Sequence, residues 1–292
     1  MLCCPDGDSW DGLIIQQFTN TTSVEAPAIA LRLFLLAASD ECGFEDLTYD
    51  FYVQAFTVYE DSISESRAQL QAITLIIGTL QRARVFGEDN YDTLITKAAL
   101  HGAKLLKKPH QATAVGLASH LWWQEPAAEE EGEGPKEEPQ PQSKEDGENA
   151  KAYPHQDSKR VLECLQKSLR IANSATEEIV TVQLYCDTLD QYLYYFDRGA
   201  PAIAPKYITS LVELITSSID AISSPDVHPS QRAPPGLLEG VQTPEMITRH
   251  FRATLVYIQE EKAASAGENG SGGGRWDEVE VVGALLKMGL AR

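Results

Sequence analysis

Long apolar runs are missing from this chain. Its greasiest stretches, residues 30–38 and 72–80, fall far short of the ~20 residues that a membrane-spanning helix needs, so direct membrane insertion is not expected. Basic side chains are scarce: 24 Lys and Arg face 43 Asp and Glu, for a net charge of −19. That balance speaks against nucleic acid as a partner, because phosphate binding needs a clustered basic surface. It equally disfavours direct docking on anionic lipid. Cysteine is sparse as well. Cys3, Cys4, Cys42, Cys164 and Cys186 are odd in number and show no CxxC spacing, so they read as reduced residues of a cytosolic protein. The N-terminus has neither a basic n-region nor an apolar h-region, and the final MGLAR is not a prenylation box, so neither a secretory signal nor a lipid anchor is expected.

Catalytic signatures are absent too. The glycines at 270–274 are followed by Arg275-Trp276, not by Lys-Ser or Lys-Thr, and read as a tether instead of a phosphate cradle. There is no GxSxG elbow and no HExxH. None of His101, His110, His120, His155, His228 and His250 has a second His or a Cys three or four residues away, so no metal site built from neighbours is expected. Acidic pairs such as Glu60-Asp61 and Glu177-Glu178 sit at helix termini, where dipole complementarity explains them. No catalytic residue, cofactor or metal is predicted. An enzyme would need a spatial cluster of titratable groups that no spacing here supports.

What is present is helical periodicity. Ile179, Val182, Cys186, Leu189, Leu193 and Phe196 form one apolar stripe, and Ile208, Leu211, Val212, Ile215, Ile219 and Ile222 a second. Val161, Leu165, Leu169 and Ala172, and Ile247, Phe251, Leu255 and Ile258, form two more. Such spacing marks the core faces of amphipathic helices, and only residues 279–282 (VEVV) alternate even weakly. The pattern predicts nine helices at about 26–41, 46–60, 64–85, 89–108, 110–124, 156–174, 177–197, 203–223 and 244–263, with a short tenth within 277–289. Ser62 and Glu65 read as a capping box. Lys107-Lys108-Pro109 reads as a helix end with its lysines on the negative pole, and residues 197–201 (DRGAP) as a stop. Thr243-Pro244 reads as a start. Helix pairs begin near 26, 64 and 110, a spacing closer to HEAT-like pairs than to the ~34 residues of tetratricopeptide units. In residues 68–80 (AQLQAITLIIGTL), Leu70, Ile73, Ile77 and Leu80 make one stripe, with Leu75, Ile76 and Ala83 on another side. A stack of helix pairs predicts this two-sided pattern; the central helix of a globular bundle would show it as well.

Three segments read as outside the folded core. Residues 125–150 hold ten acids and two lysines and lack Val, Ile, Leu and aromatic side chains altogether. They cannot bury enough surface to offset their ordering entropy, so 125–154 is read as a disordered acidic loop. Residues 224–242 read as a Pro-rich connector, and 264–292 as a flexible tether with a short C-terminal segment. Residues 1–24 read as loose, leaving 25–263 as the helical body. The most informative polar–aromatic patch is 119–124 (SHLWWQ). Adjacent Trp side chains on a helix point about 100° apart, so one of Trp122 and Trp123 is free to face a partner, where aromatics dominate interface energetics. Internal packing of both is the plain alternative.

The strings 31–36 (LRLFLL), 54–61 (QAFTVYED), 68–80, 103–108 (AKLLKK) and 120–123 (HLWW), followed by 160–173 (RVLECLQKSLRIAN), 192–196 (YLYYF) and 247–258, are collinear and specific. Over most of 25–260 the chain resembles the family of the retromer large subunit, vacuolar protein sorting-associated protein 35, in its C-terminal part. The resemblance implies an all-α, HEAT-like α-solenoid of antiparallel helix pairs, peripheral on the cytosolic face of endosomes. It implies a scaffold of the coat that sorts proteins from endosome to Golgi or plasma membrane. It also implies a clamp around vacuolar protein sorting-associated protein 29, a partner with a metallophosphoesterase-like fold. A second copy of the chain in coat arches and an actin-nucleating complex are further implied partners. The family's Pro-Arg-Leu-Tyr-Leu string is absent and residues 1–24 do not match, so the arrestin-like subunit, protein 26, is not expected to bind, and a fragment or truncated product is the expectation. His120, Trp122 and Trp123 are the first candidates for the partner groove. Lys104, Lys107 and Lys108 are the second, as cations able to meet acids around the partner's metal-like site. A free-standing helical adaptor without retromer assembly is the alternative.

Overall fold

The computed structural model describes residues 26–39, 44–124, 156–223, 243–268 and 274–290. Residues 1–24, the acidic segment 125–154 and the connector 224–242 lie outside the described residues. The elements are α1 (Pro27–Ser39), α2 (Glu45–Ser62), α3 (Ser66–Arg82), α4 (Glu88–Ala103), α5 (Lys108–Ala118), a 3-10 turn (Ser119–Trp122), α6 (Ser158–Ala172), α7 (Glu178–Asp197), α8 (Pro205–Ser223), α9 (Pro244–Glu268) and α10 (Val282–Lys287). Among the described residues the only β pairing is one isolated antiparallel bridge, Trp123 to Gln156.

The contact pattern defines the architecture. α1 packs on α2 and α3, α3 on α4 and α5, α5 on α6 and α7, α7 on α8 and α9, and α8 and α9 on α10. Each odd-numbered helix thus touches those one and two places along the chain. Short connections make sequential helices antiparallel, and the contacts between every second helix stack the pairs side by side into an α-solenoid.

The stripes fold as their spacing demands. All six stripe residues of α8, from Ile208 to Ile222, are buried, with Leu214 off the stripe and exposed, and Ile247, Phe251, Leu255 and Ile258 on α9 are buried as well. Two-sided burial is fullest on α7, which is pinched between α5, α6, α8 and α9 and buries Val180, Leu184, Tyr192 and Tyr195 in addition to its predicted stripe. On α3 the expectation holds only in part. Ala72, Ile73, Ile76, Ile77 and Leu80 are buried, whereas Leu75 is exposed.

Local chemistry departs from expectation at several ends. α2 runs on through Ser62, which therefore cannot cap α3. Glu65 is the N-cap instead, its carboxylate accepting from Arg67 N at 2.9 Å and Ala68 N at 2.7 Å. α4 stops at Ala103 with Lys104 as its C-cap. Lys107 and Lys108 begin α5, because Pro109 suits the first turn of a helix and not its last. Only Lys104 therefore faces a negative helix end. Gly199, at φ +75°, ends α7 in the left-handed conformation that a non-glycine residue adopts only with strain. Thr243 Oγ1 accepts from Met246 N at 3.3 Å to start α9. α9 then continues to Glu268, past the residue at which the sequence places a tether, since Ala263, Ala264 and Ala266 favour helix. Residues 269–273 lie outside the described residues, but beyond them the chain folds back. Arg275 Nη2 donates to the carbonyls of Ala200 at 2.6 Å and Ile203 at 2.8 Å, and Trp276 meets Phe196 edge-on at 4.7 Å.

The energetic ranking that follows is testable by urea denaturation. Phe251→Ala empties the fully buried α9 stripe and is expected to cost about 3–5 kcal/mol. Asp157→Ala removes the carboxylate that accepts from Lys159 N and Arg160 N at the start of α6 and is expected to cost about 1 kcal/mol.

Candidate interaction surface

The predicted site residues divide between the two ends of α5. That helix has eleven residues and, at 1.5 Å rise per residue, spans about 16 Å. Lys107 and Lys108 open it, and the patch 119–124 follows its C-terminus. The sequence-derived candidates are therefore two places and not one.

At the C-terminal end both tryptophans enter the core, at 8% exposure for Trp122 and 6% for Trp123. The expected conflict between neighbours disappears because the backbone is not α-helical there. The 3-10 turn ends at Trp122, and Trp123 is extended at φ −140°, ψ 90°. Trp123 packs edge-on to Tyr195 at 6.2 Å, and the Arg160 guanidinium lies 5.8 Å from the Trp122 ring. His120 is half-buried, its ring 5.0 Å from Tyr194 and 5.2 Å from Tyr195. Hydrogen bonds tie the patch to four neighbours. Tyr91 OH donates to Leu121 O at 2.9 Å, Ser119 Oγ pairs with Tyr195 OH at 2.8 Å, Gln124 Nε2 reaches Ala83 O at 3.2 Å, and Asp157 N donates to Trp122 O at 2.8 Å. Burial pushes the Tyr195 hydroxyl well above its ordinary pKa, so it stays neutral and serves as a hydrogen-bonding strut. Gln124 and Tyr195 take part in this junction without any signal in the sequence beyond their neighbourhood.

At the N-terminal end Lys104, Lys107 and Lys108 are exposed. Lys107, Lys108, Pro109 and His110 face Ala175, Thr176, Glu177 and Val180 of the α6–α7 connection across a cleft of about 270 Å³. His110 Nδ1 lies 3.1 Å from Ser66 Oγ, which brings the start of α3 to the same edge. Burial, then Lys107, holds the His110 pKa below its ordinary value. The cleft presents two cations beside one carboxylate on an apolar floor, a composition suited to a protein surface. The residues from 175 to 180 carry no motif and became part of the site only through the stacking of the α4–α5 and α6–α7 connections.

A groove of about 380 Å³ between α7 and α9 holds a third polar cluster. His250 Nε2 lies 2.7 Å from Asp190 Oδ2, and Tyr257 OH donates to Asp197 Oδ2 at 2.5 Å. The Thr254 hydroxyl bonds Asp190 and the His250 carbonyl, both at 3.3 Å, and not the imidazole. A hydroxyl that reaches the acid in place of the base is not activated as a nucleophile. Among the described residues no three His, Cys, Asp or Glu side chains converge as a metal-ligand set, and no helix is long and apolar enough to cross a membrane. Burial raises the two described thiols, Cys164 to about 11 and Cys186 to about 12, which leaves them protonated and unreactive at neutral pH.

Fold and surface together define an α-solenoid with polar edges and clefts between its connections. The sequence profile of the family described as vacuolar protein sorting-associated protein 35 matches residues 13–218, and the chain belongs to that family. The Schizosaccharomyces pombe protein of that name is 40% identical over 212 residues, covering 71% of this chain and 22% of its own length. Vacuolar protein sorting-associated protein 35B of Arabidopsis thaliana is 41% identical over 209 residues, or 68% and 23%. The Dictyostelium discoideum protein is 25% identical over 192 residues, or 65% and 21%. The chain thus spans less than a quarter of the length of these curated relatives. The profile match begins at residue 13, so part of the 1–24 segment that the sequence reading leaves out of the resemblance belongs to it. The match ends within α8, so 247–258 lies beyond the matched residues.

A half-buried histidine gives the stack a pH signature. His101 is stacked on Phe56 at 5.7 Å and edge-on to Tyr59 at 5.0 Å, with Glu60 Oε1 2.9 Å from its Nε2. Burial holds its pKa below the ordinary 6.5 despite Glu60, with Lys97 and Lys104 acting in the same direction as burial. Because the unfolded state then takes up the proton first, this histidine's contribution is present above pH 6.5 and is lost as pH falls through the folded pKa. The stability difference between wild type and His101→Gln is expected to shrink between pH 7 and pH 5, followed as melting temperature by circular dichroism. A difference that grows on acidification would contradict the sign.

Proposed function

We propose that the chain is a protein-sorting scaffold of the retromer coat, working on the cytosolic face of endosomes in traffic to the Golgi or plasma membrane. Its solenoid clamps vacuolar protein sorting-associated protein 29, the metallophosphoesterase-like subunit. The observation that carries the reading is an unbroken stack of helices whose sequence belongs to the vacuolar protein sorting-associated protein 35 family. A surface of connections and shallow clefts suits holding a folded partner better than turning over a small molecule. In this reading the exposed Lys104, Lys107 and Lys108 supply cations to an acidic partner edge. His120 contributes the accessible part of the aromatic patch, with Trp122 and Trp123 fixing the wall behind it. A second copy of the chain and an actin-nucleating complex are further partners. A free-standing helical adaptor is the second reading.

Calorimetry with purified protein 29 tests the assignment. The wild-type chain is expected to bind, and Lys107→Glu with Lys108→Glu to weaken binding about tenfold, the effect of losing roughly 1.4 kcal/mol, with the melting temperature unchanged because both side chains are exposed. Absence of wild-type binding would favour the adaptor. Wild-type binding with an unaffected double variant would move the contact away from this edge.

A further inference from the structure

The turn between α7 and α8 is read by a separate piece of the chain. α7 ends at Asp197 and α8 begins at Pro205. Gly199, in its left-handed conformation, reverses the backbone so that the carbonyls of Ala200 and Ile203 meet one side chain, Arg275. Its Nη2 donates to both, at 2.6 and 2.8 Å, and its guanidinium lies 4.2 Å from the centre of the Phe196 ring. The planar fork of arginine suits paired acceptors beside an aromatic face, which an ammonium group does not match. Trp276 meets the same Phe196 ring edge-on and lies 6.3 Å from Tyr257 of α9. Main-chain groups are read as well. Lys262 Nζ donates to the carbonyls of Asp277 and Val279, and Thr209 Oγ1 accepts from Glu280 N at 3.0 Å. Residues 274–277 arrive in a turn of their own. Gly274 N donates to Asp277 Oδ2 at 2.7 Å and Asp277 N to Gly274 O at 2.9 Å, a preorganisation that lowers the ordering cost of binding. Gly274 also lies so close to α9 that a Cβ on it would come within 3.2 Å of Ser265.

We infer that the α7–α8 turn and the flank of α9 form a recognition site for a turn-shaped peptide of Gly-Arg-Trp-Asp chemistry, and that residues 274–281 of this chain are its built-in, exchangeable ligand. Side-chain identity and main-chain polarity are recognised together, as in a peptide held by a groove. Ordering residues 274–290 costs conformational entropy comparable with what burying Trp276, Val279, Val281, Leu285 and Met288 returns. The hold of the segment therefore depends on its attachment. Residues 269–273 (NGSGG), which attach it, have no side chain larger than asparagine. So short an attachment presents the segment at about 1 mM. A free-peptide Kd of about 10 µM then keeps the site filled about 99% of the time and leaves it open to a partner that displays the same turn. The site stands apart from the Lys107–Lys108 edge, so its occupancy does not depend on the partner proposed there.

The test replaces residues 269–273 of the full chain with a protease recognition sequence and follows a fluorescein-labelled synthetic peptide of residues 274–292 by anisotropy. After cleavage, at low-micromolar protein, the labelled peptide is expected to exchange with the released segment at a Kd of about 10 µM. The intact chain is expected to bind it about a hundredfold more weakly, because its own segment competes from within. A peptide carrying Arg275→Ala and Trp276→Ala is expected to bind the cleaved chain about tenfold more weakly than the unaltered peptide. Circular dichroism is expected to show the cleaved chain still folded after the exchange. A cleaved chain that takes up no peptide, one that unfolds once its segment is released, equal binding by intact and cleaved chains, or an altered peptide that binds as tightly would each overturn the inference.

Discussion

The burial of α7 on several sides at once is the constraint on which the rest depends. A helix that meets α5, α6, α8 and α9 keeps only a narrow strip for water, around Asp187 and Asp190, and buries apolar or aromatic groups over the rest of its circumference, from Ile179 to Phe196. Each of those neighbours must then turn an apolar stripe toward it. The same demand passes outward to α3 in one direction and to α10 in the other, with less intensity as the ends approach. Contacts between helices one and two places apart are the geometric result. They also explain why the polar chemistry collects in connections and in the grooves between pairs. Most of the helix sides are occupied, and α3, α5 and α7 bring their starting turns to a common edge, where Ser66, Lys107, Lys108 and Glu177 come together.

Much of this was legible from periodicity alone, because burial in a stack is written into spacing. The stripes of α8 and α9 needed no tertiary knowledge, and the stop at Gly199 and the start at Thr243 follow from backbone and capping chemistry. What spacing could not give was the competition between neighbouring signals. Ser62 and Glu65 look like a reciprocal cap until α2 is seen to consume the serine. Lys107-Lys108-Pro109 looks like an ending until the proline's preference for a first turn decides the matter. The tryptophan pair follows its plain alternative, internal packing, for a related reason. The 100° argument presumes an α-helix, and the switch to a 3-10 turn followed by an extended residue lets both rings face inward. The cleft beside Lys107 was invisible because half of its wall comes from the distant 175–180, which carries no motif.

Partner recognition by such a stack has a particular electrostatic logic. The chain is strongly acidic overall, yet Lys104, Lys107 and Lys108 are exposed together at the α4–α5 connection. An isolated basic edge on an acidic body orients an approaching acidic surface more than it tightens the final complex. The wall behind His120 is rigid for a different reason. Tyr195, Tyr91 and Ser119 keep their hydroxyls satisfied inside the core, so the position of the imidazole is set by packing and not by solvent-exposed contacts.

The same junction keeps down the cost of the long acidic connection between α5 and α6. Chain departure and return are fastened to each other. Trp123 and Gln156 form the isolated bridge, Asp157 N donates to Trp122 O at 2.8 Å, and Gln156 Nε2 donates to Gln124 O at 3.2 Å. Once the ends are held a few ångströms apart, each doubling of the intervening length costs only about 0.6 kcal/mol in closure entropy. The stability of the stack therefore depends on the clamp at residues 122–124 and 156–157 far more than on what lies between them. Burying both tryptophans there, the plain alternative to a partner-facing ring, is what fixes the register of α5 and α6 at the junction itself.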